Sequence, residues 1–203
     1  MVLASASPRR AQLLQIAGIP FVVAPVEAQE PLPTVEDGAQ PGQFVERLAS
    51  WKASACGLEA VNLPPGETVV LAADTIVWHE GRILNKPVDA AQAREMLTEL
   101  RGRSHCVFTG VCLMHGGRQW VEHEVTTVRF NFQSDAWIER YVSTGEPLDK
   151  AGAYAAQGRG AVMIDGVDGD FMNVVGLPLC RLARMLGKIG APIEVWWDSF
   201  DVS

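Results

Sequence analysis

The segment Ser5-Ala6-Ser7-Pro8-Arg9-Arg10 lies where a short apolar run gives way to a helical pattern. A turn that feeds a helix N-terminus presents unpaired backbone N–H groups and the positive end of the helix dipole, and anions bind there. Two arginines in that first turn oppose the dipole preference, so they are either a solvated surface pair or the receivers of an anionic ligand. Asp74 follows the almost wholly apolar run Thr68–Ala73. A carboxylate among apolar neighbours needs a cation, a metal or a hydrogen-bond partner, or it stays protonated; the plainer alternative is a turn cap. Lys86 sits in Asn85-Lys86-Pro87, where the proline holds its backbone extended. Glu30 could offer an oxygen to a hard cation such as Mg2+, or be a surface glutamate. Glu122 and Glu124 share one face of a strand, where they could pair for acid–base work or face water at an edge; the edge reading is preferred. His79, His105, His115 and His123 show no H-E-x-x-H spacing, and the chain has neither a G-x-S-x-G elbow nor a G-x-x-x-x-G-K-[ST] loop. Zinc chemistry, a serine triad and a P-loop mechanism are disfavoured.

Those residues need a scaffold. The apolar run 2–6 reads as a strand; Ser7 caps a helix that Pro8 opens and Gly18 closes. Residues 27–42, rich in proline and glycine, read as a long loop. A helix follows with Phe44, Val45, Leu48, Trp51 and Ala55 as its apolar stripe, which places Arg47 and Lys52 toward the flank or solvent. Residues 68–73 read as a buried central strand ending abruptly at Asp74, which would expose that acid at the carboxyl edge of a sheet, where ligands gather in open α/β proteins. Thr75–Trp78 continues extended to a turn at 79–82, and Ile83-Leu84 leads back to Asn85. Asp89 caps a helix carrying Ala93, Met96, Leu97 and Leu100, closed by Gly102. Residues 104–114 and 119–130 form a long hairpin across Gly116-Gly117. A helix over 135–143, a glycine-rich segment over 145–160, a strand near 161–165 and a helix from Pro178 complete the chain. The alternation predicts an α/β protein with a mixed sheet.

At 203 residues, 48% hydrophobic and 20% charged, the chain can bury a sizeable core, and no linker or repeat divides it, so a single domain over 1–203 is expected. Its formal net charge of −7 argues against a nucleic-acid surface and requires a few local cations to hold any phosphate-bearing ligand. Cys56, Cys106, Cys112 and Cys180 are too far apart for a C-x-x-C motif and read as reduced thiols, which with the absence of a signal-peptide pattern predicts a cytoplasmic protein. No window approaches the roughly 20 apolar residues of a membrane span.

Taken together, Leu3–Arg10, Ala72–Thr75, Asn85–Pro87, Phe108–Val111, Gly145–Tyr154 and Val175–Pro178 resemble the signature blocks of the Maf family, in the family's order. The resemblance implies an elongated mixed β-sheet flanked by helices, with two lobes around a central cleft, of the inosine triphosphate pyrophosphatase-like class, and a homodimer. It implies metal-assisted hydrolysis of a nucleoside triphosphate to monophosphate and pyrophosphate. Asp74 matches the catalytic base, and Lys52 and Lys86 match lysines of the phosphate site. Ser7, Arg9 and Arg10 match the anion-binding turn. A divalent cation, Mg2+ or Mn2+, would be held by Asp74 and by Glu30, although Gln29 stands where the family usually has an Asp before that glutamate. Arg9, Thr75 and Gln157 occur together in members resembling dTTP/UTP pyrophosphatases; members similar to 7-methyl-GTP pyrophosphatases usually carry a Trp in place of that arginine. A glutamine amide can donate to one edge group of uracil or thymine and accept from N3–H. The alternatives are a 7-methyl-GTP pyrophosphatase, action on modified pyrimidine triphosphates, and a nucleotide-binding regulator of cell division with vestigial catalysis.

Overall fold

The computed structural model describes residues 1–26, 31–56 and 68–199. In chain order it comprises β1 (Val2–Leu3), α1 (Pro8–Ile16), β2 (Val22–Val23), α2 (Val35–Ala39), α3 (Pro41–Ser54), β3 (Val70–His79), β4 (Arg82–Leu84), α4 (Ala90–Leu100), β5 (Ser104–His115), β6 (Arg118–Phe130) and α5 (Asp135–Val142). Short 3-10 turns at Glu146–Asp149, Ala151–Ala153 and Arg159–Met163 lead to β7 (Ile164–Asp168), α6 (Phe171–Val175), α7 (Leu179–Lys188) and a last 3-10 segment, Ile193–Ser199. Seven strands form one mixed sheet in the order β2-β1-β3-β5-β6-β7, with β4 also paired to β3. β1 runs parallel to β2 and β3, and the other pairings are antiparallel. This is the mixed α/β sheet flanked by helices that the alternating pattern predicts.

Side chains alternate across β3 and bind a different layer on each face. Leu71 and Ala73 pack with Leu13 and Leu14 of α1 and with Leu182, Met185 and Leu186 of α7. Val70 and Ala72 meet Ala49 and Ala53 of α3, and Ile76 continues that face against Phe44, Val45 and Leu48. Farther along, Val77 and Val107 join Ala93, Leu97 and Leu100 of α4 and Ile138 of α5. Among the described residues, no helix is long and apolar enough to cross a membrane.

Local signals place the hairpin β5–β6, and they place α4, whose cap Asp89 accepts from the Gln92 N–H at 2.8 Å. Gly18, just past α1, takes φ +67°, the left-handed conformation that ends a helix. Four expectations need correction. The stretch 31–42 is not all loop: Thr34 and Asp37 form a capping box that starts α2, and Pro41 opens α3. β3 does not end at Asp74 but continues to His79, because β5 pairs with it without interruption from Val70 to Trp78. The strand near 161–165 begins at Ile164, since a 3-10 turn occupies 159–163. Lys52 does not face solvent. The buried face of α3 runs through Val45, Leu48, Ala49 and Lys52, the i, i+3, i+4, i+7 stripe, whereas Trp51 is half-buried and Ala55 exposed.

Candidate active site

β3 is flanked on its non-β5 edge by two short strands that do not meet. β1 pairs with it only at Val70 and Leu71, and β4 only from Val77 to His79. Between them the edge of β3 lies open at Asp74 and Thr75, and a cleft of about 500 Å3 occupies that gap. Its walls are the β1–α1 turn, α3, the Asn85-Lys86 segment, the 3-10 turns around residues 149–157, and the end of α6. Ser7, Arg9, Arg10, Lys52, Asp74, Thr75, Lys86 and Gln157 all line it. Glu30 lies outside the described residues.

Asp74 shares the face of β3 that carries Ala72 and Ile76, so it points at α3. There Lys52 Nζ donates to its Oδ1 at 2.5 Å, with both side chains only about a tenth exposed, at 11% and 10%. Such a pair repays its desolvation only when the contact is close and directed. Gly110 makes the approach feasible. It sits directly opposite Asp74 on β5, and a Cβ there would stand 2.2 Å from the carbonyl oxygen of Val45. The missing side chain lets the backbone of α3 lie against the sheet.

At the β1–α1 turn, Ser7 is the N-cap residue but its hydroxyl caps nothing, and its own N–H donates to Ser5 Oγ at 3.2 Å. No acidic residue occupies the first turn of α1, so that helix end offers its amides and dipole to a ligand. The two arginines divide. Arg9 is about a third exposed and its Nη1 stands 4.0 Å from Asp149 Oδ2. Arg10 is committed to the protein, donating to Ser5 Oγ and Thr75 Oγ1 at 3.1 Å each and to the Gly176 carbonyl at 2.9 Å. A direct grip on ligand is therefore better placed at Arg9 than at Arg10, which braces the wall.

Gln157 follows a segment pinned twice: Tyr154 Oη meets buried His105 Nε2 at 2.9 Å, and the Ala155 N–H donates to Tyr141 Oη at 3.1 Å. Asn85 supplies a carbonyl that accepts from the Gly152 N–H at 3.3 Å, which ties Lys86 to the same wall. Asp149 and Lys150 are hydrogen-bonded to each other. Burial raises the Asp149 carboxyl, but the Lys150 hydrogen bond and charge and the nearby Arg9 outweigh it and hold the group below its usual range. Glu122 and Glu124 lie outside the cleft, and instead of simply facing water they are partly buried and ion-paired with Arg181 on α7, with Lys188 also on Glu122. No local sequence pattern marks Thr109, Gly110 or Asn173 individually as residues of the site. The first two lie inside the Phe108–Val111 block, which was the available signal; Asn173, in α6, carried none.

The fold and the cleft define a mixed α/β protein that gathers an open helix N-terminus and several cations around one buried carboxylate, an arrangement suited to a polyanion. The family model described as "Maf-like protein" matches residues 1–189. Relatives include a dTTP/UTP pyrophosphatase of Symbiobacterium thermophilum, 50% identical with 95% of each chain covered, and one of Moorella thermoacetica, 46% identical with 97% of each covered. A third, from Bacillus cytotoxicus, is 45% identical over 91% of this chain and 93% of its own. Among solved structures, the Staphylococcus aureus Ham1 protein aligns at a TM-score of 0.42 and 16% identity, covering 64% of this chain and 70% of that one. The chain belongs to the Maf family.

Proposed function

We propose that this protein hydrolyses dTTP and UTP to the nucleoside monophosphate and pyrophosphate. The observation that carries the reading is the convergence of Ser7, Arg9, Lys52, Asp74, Lys86 and Gln157 on one cleft, in a family whose similar members bear that activity in their names.

Asp74 is the general base. Its carboxylate takes a proton from water as the water oxygen bonds to the α-phosphorus; the bond from that phosphorus to the bridging oxygen breaks, and the electron pair leaves with pyrophosphate. Lys52 orients the carboxylate through its 2.5 Å contact. The open end of α1, Arg9 and Lys86 neutralise the phosphates, and fixed groups of this kind are worth several kcal/mol each when aimed at developing charge.

Among the described residues no cluster of three or more His, Cys, Asp or Glu side chains is arranged to hold a metal ion. A cation that takes one or two carboxylates and completes its shell with phosphate oxygens and water fits that donor set. Asp74, with Glu30, would hold Mg2+ or Mn2+ here. When bound, such an ion supplies charge neutralisation and lowers the pKa of a coordinated water. A homodimer and a cytoplasmic location belong to the same proposal.

The test is a product assay with dTTP, UTP, CTP, GTP and 7-methyl-GTP in Mg2+ or Mn2+, separating monophosphate plus pyrophosphate from diphosphate plus phosphate. Monophosphate formed fastest from dTTP and UTP supports the reading. A preference for 7-methyl-GTP overturns the substrate, and nucleotide binding without product overturns the catalysis.

A further inference from the structure

Thr75 lines the cleft beside Arg10, and three hydrogen bonds fix which way its hydroxyl points. Thr109 Oγ1 donates to the carbonyl of Asn173 at 3.1 Å, which uses the one proton Thr109 has. The 2.9 Å contact between Thr75 Oγ1 and Thr109 Oγ1 must therefore carry the Thr75 proton. Arg10 Nη2 can only donate, and it does so to Thr75 Oγ1 at 3.1 Å. Thr75 is left with lone pairs alone to offer a ligand.

The far end of this chain is rigid. Asn173 is fully buried, and its Nδ2 donates to the Val107 carbonyl at 2.9 Å and to Thr126 Oγ1 at 3.0 Å. Thr126 Oγ1 in turn donates to the Asp170 carbonyl at 2.9 Å, so α6 is fastened to β5 and β6 at the point where its backbone meets Thr109. Gly176 keeps the near end clear: it has φ +125°, and a Cβ there would stand 3.5 Å from Thr75 Oγ1.

We infer that Thr109 and Asn173 are positioning residues for base selection, holding Thr75 as an acceptor that only a donor on the nucleobase edge can satisfy. This rests on the nucleotide reading above. Uracil and thymine present acceptor, donor, acceptor along O4, N3–H and O2; cytosine presents an acceptor at N3. Gln157 can donate through its amide to a carbonyl of the base and Thr75 is the acceptor for N3–H, so the two match adjacent groups of the uracil edge and oppose cytosine at its middle position, while Arg9 is left to the phosphates. The acceptor for N3–H is thus Thr75, with the Gln157 amide turned to donate.

The substitution Thr109→Val keeps the shape of a fully buried side chain and removes the hydroxyl, which frees the Thr75 proton to rotate toward the cleft. The expected result, read as the ratio of kcat/KM for UTP over CTP, is a fall of about tenfold, the size of one neutral hydrogen bond. The loss for UTP appears mainly in KM, Thr109→Ser restores the ratio, and the double variant Thr75→Val/Thr109→Val is no less selective than Thr75→Val alone. Calorimetric binding of the α,β-methylene analogues of UTP and CTP reads the same preference without turnover. A wild-type protein that does not hydrolyse UTP would thus overturn the proposed reaction while leaving base selection measurable. A folded Thr109→Val protein that keeps the wild-type preference for the UTP analogue overturns this inference.

Discussion

Asp74 and Lys52 hold each other in a place that neither would occupy alone, and substitution separates their roles. Asp74→Asn preserves size and a hydrogen-bond acceptor, so the fold should survive; turnover should fall about a hundredfold or more, within the range expected for losing a general base. Steady-state kcat with far-UV circular dichroism checks this, and wild-type rates from a folded variant remove Asp74 from that role. Lys52→Met instead leaves a mostly buried carboxylate without its 2.5 Å partner. Breaking a buried pair from one side costs about 3 kcal/mol or more, so urea denaturation should show that loss. In an Asp74→Asn background the same change should cost much less. Equal losses in both backgrounds would mean that Lys52 stabilises the fold through something other than this pair.

Helix α3 reaches the active site because β5 has no side chain at Gly110, where the Val45 carbonyl comes down onto the strand. Gly110→Ala would put a Cβ at 2.2 Å from the Val45 carbonyl, and a backbone atom cannot turn aside as a side-chain end can. The helix must lift, at about 3 kcal/mol on the scale of overpacking, and Lys52 lifts with it. Stability and kcat should therefore both fall. Gly187 in α7 has nothing within 4 Å of its would-be Cβ, so Gly187→Ala should stabilise the fold by about 0.5 kcal/mol and leave kcat alone. Thermal melts of both variants test the pair, and a neutral Gly110→Ala would refute the close-approach argument. The same contrast explains what the sequence made legible. The β5–β6 hairpin and α4 announce themselves locally, through Gly116-Gly117, Asp89 and Gly102. Lys52 hid because its polar type argued against the buried stripe it completes. The short helix α6 gave too little periodicity to be seen, and with it went Asn173. The opening at Asp74 arises where β1 stops pairing and β4 has yet to start, a matter of long-range register that no local pattern encodes.

Acid should weaken the whole fold in two stages, because its buried groups lose their neutral or ionised forms at different pH. His105 is 2% exposed and packs edge-on against Phe130 and Tyr154. Burial, and after it the charge of His79, lowers its pKa from 6.5 to about 3. Between those values the unfolded chain binds a proton that the folded protein refuses, so stability falls with pH by about 1.4 kcal/mol per unit. Carboxylates enter later. Burial raises Asp37, Glu122 and Glu146, yet hydrogen bonds and neighbouring cations outweigh it and hold all three below their usual range. Their contribution is complete above the ordinary carboxylate pKa and is lost only as pH falls through the depressed folded values. The slope between pH 6.5 and 5 therefore tests His105 apart from them. His105→Gln keeps a polar group toward Tyr154 Oη but cannot titrate. Urea midpoints measured across that interval should slope for the wild type and flatten for the variant; a variant with the wild-type slope would place the acid-sensitive proton on another group, even with the carboxylate stage below pH 4 unchanged.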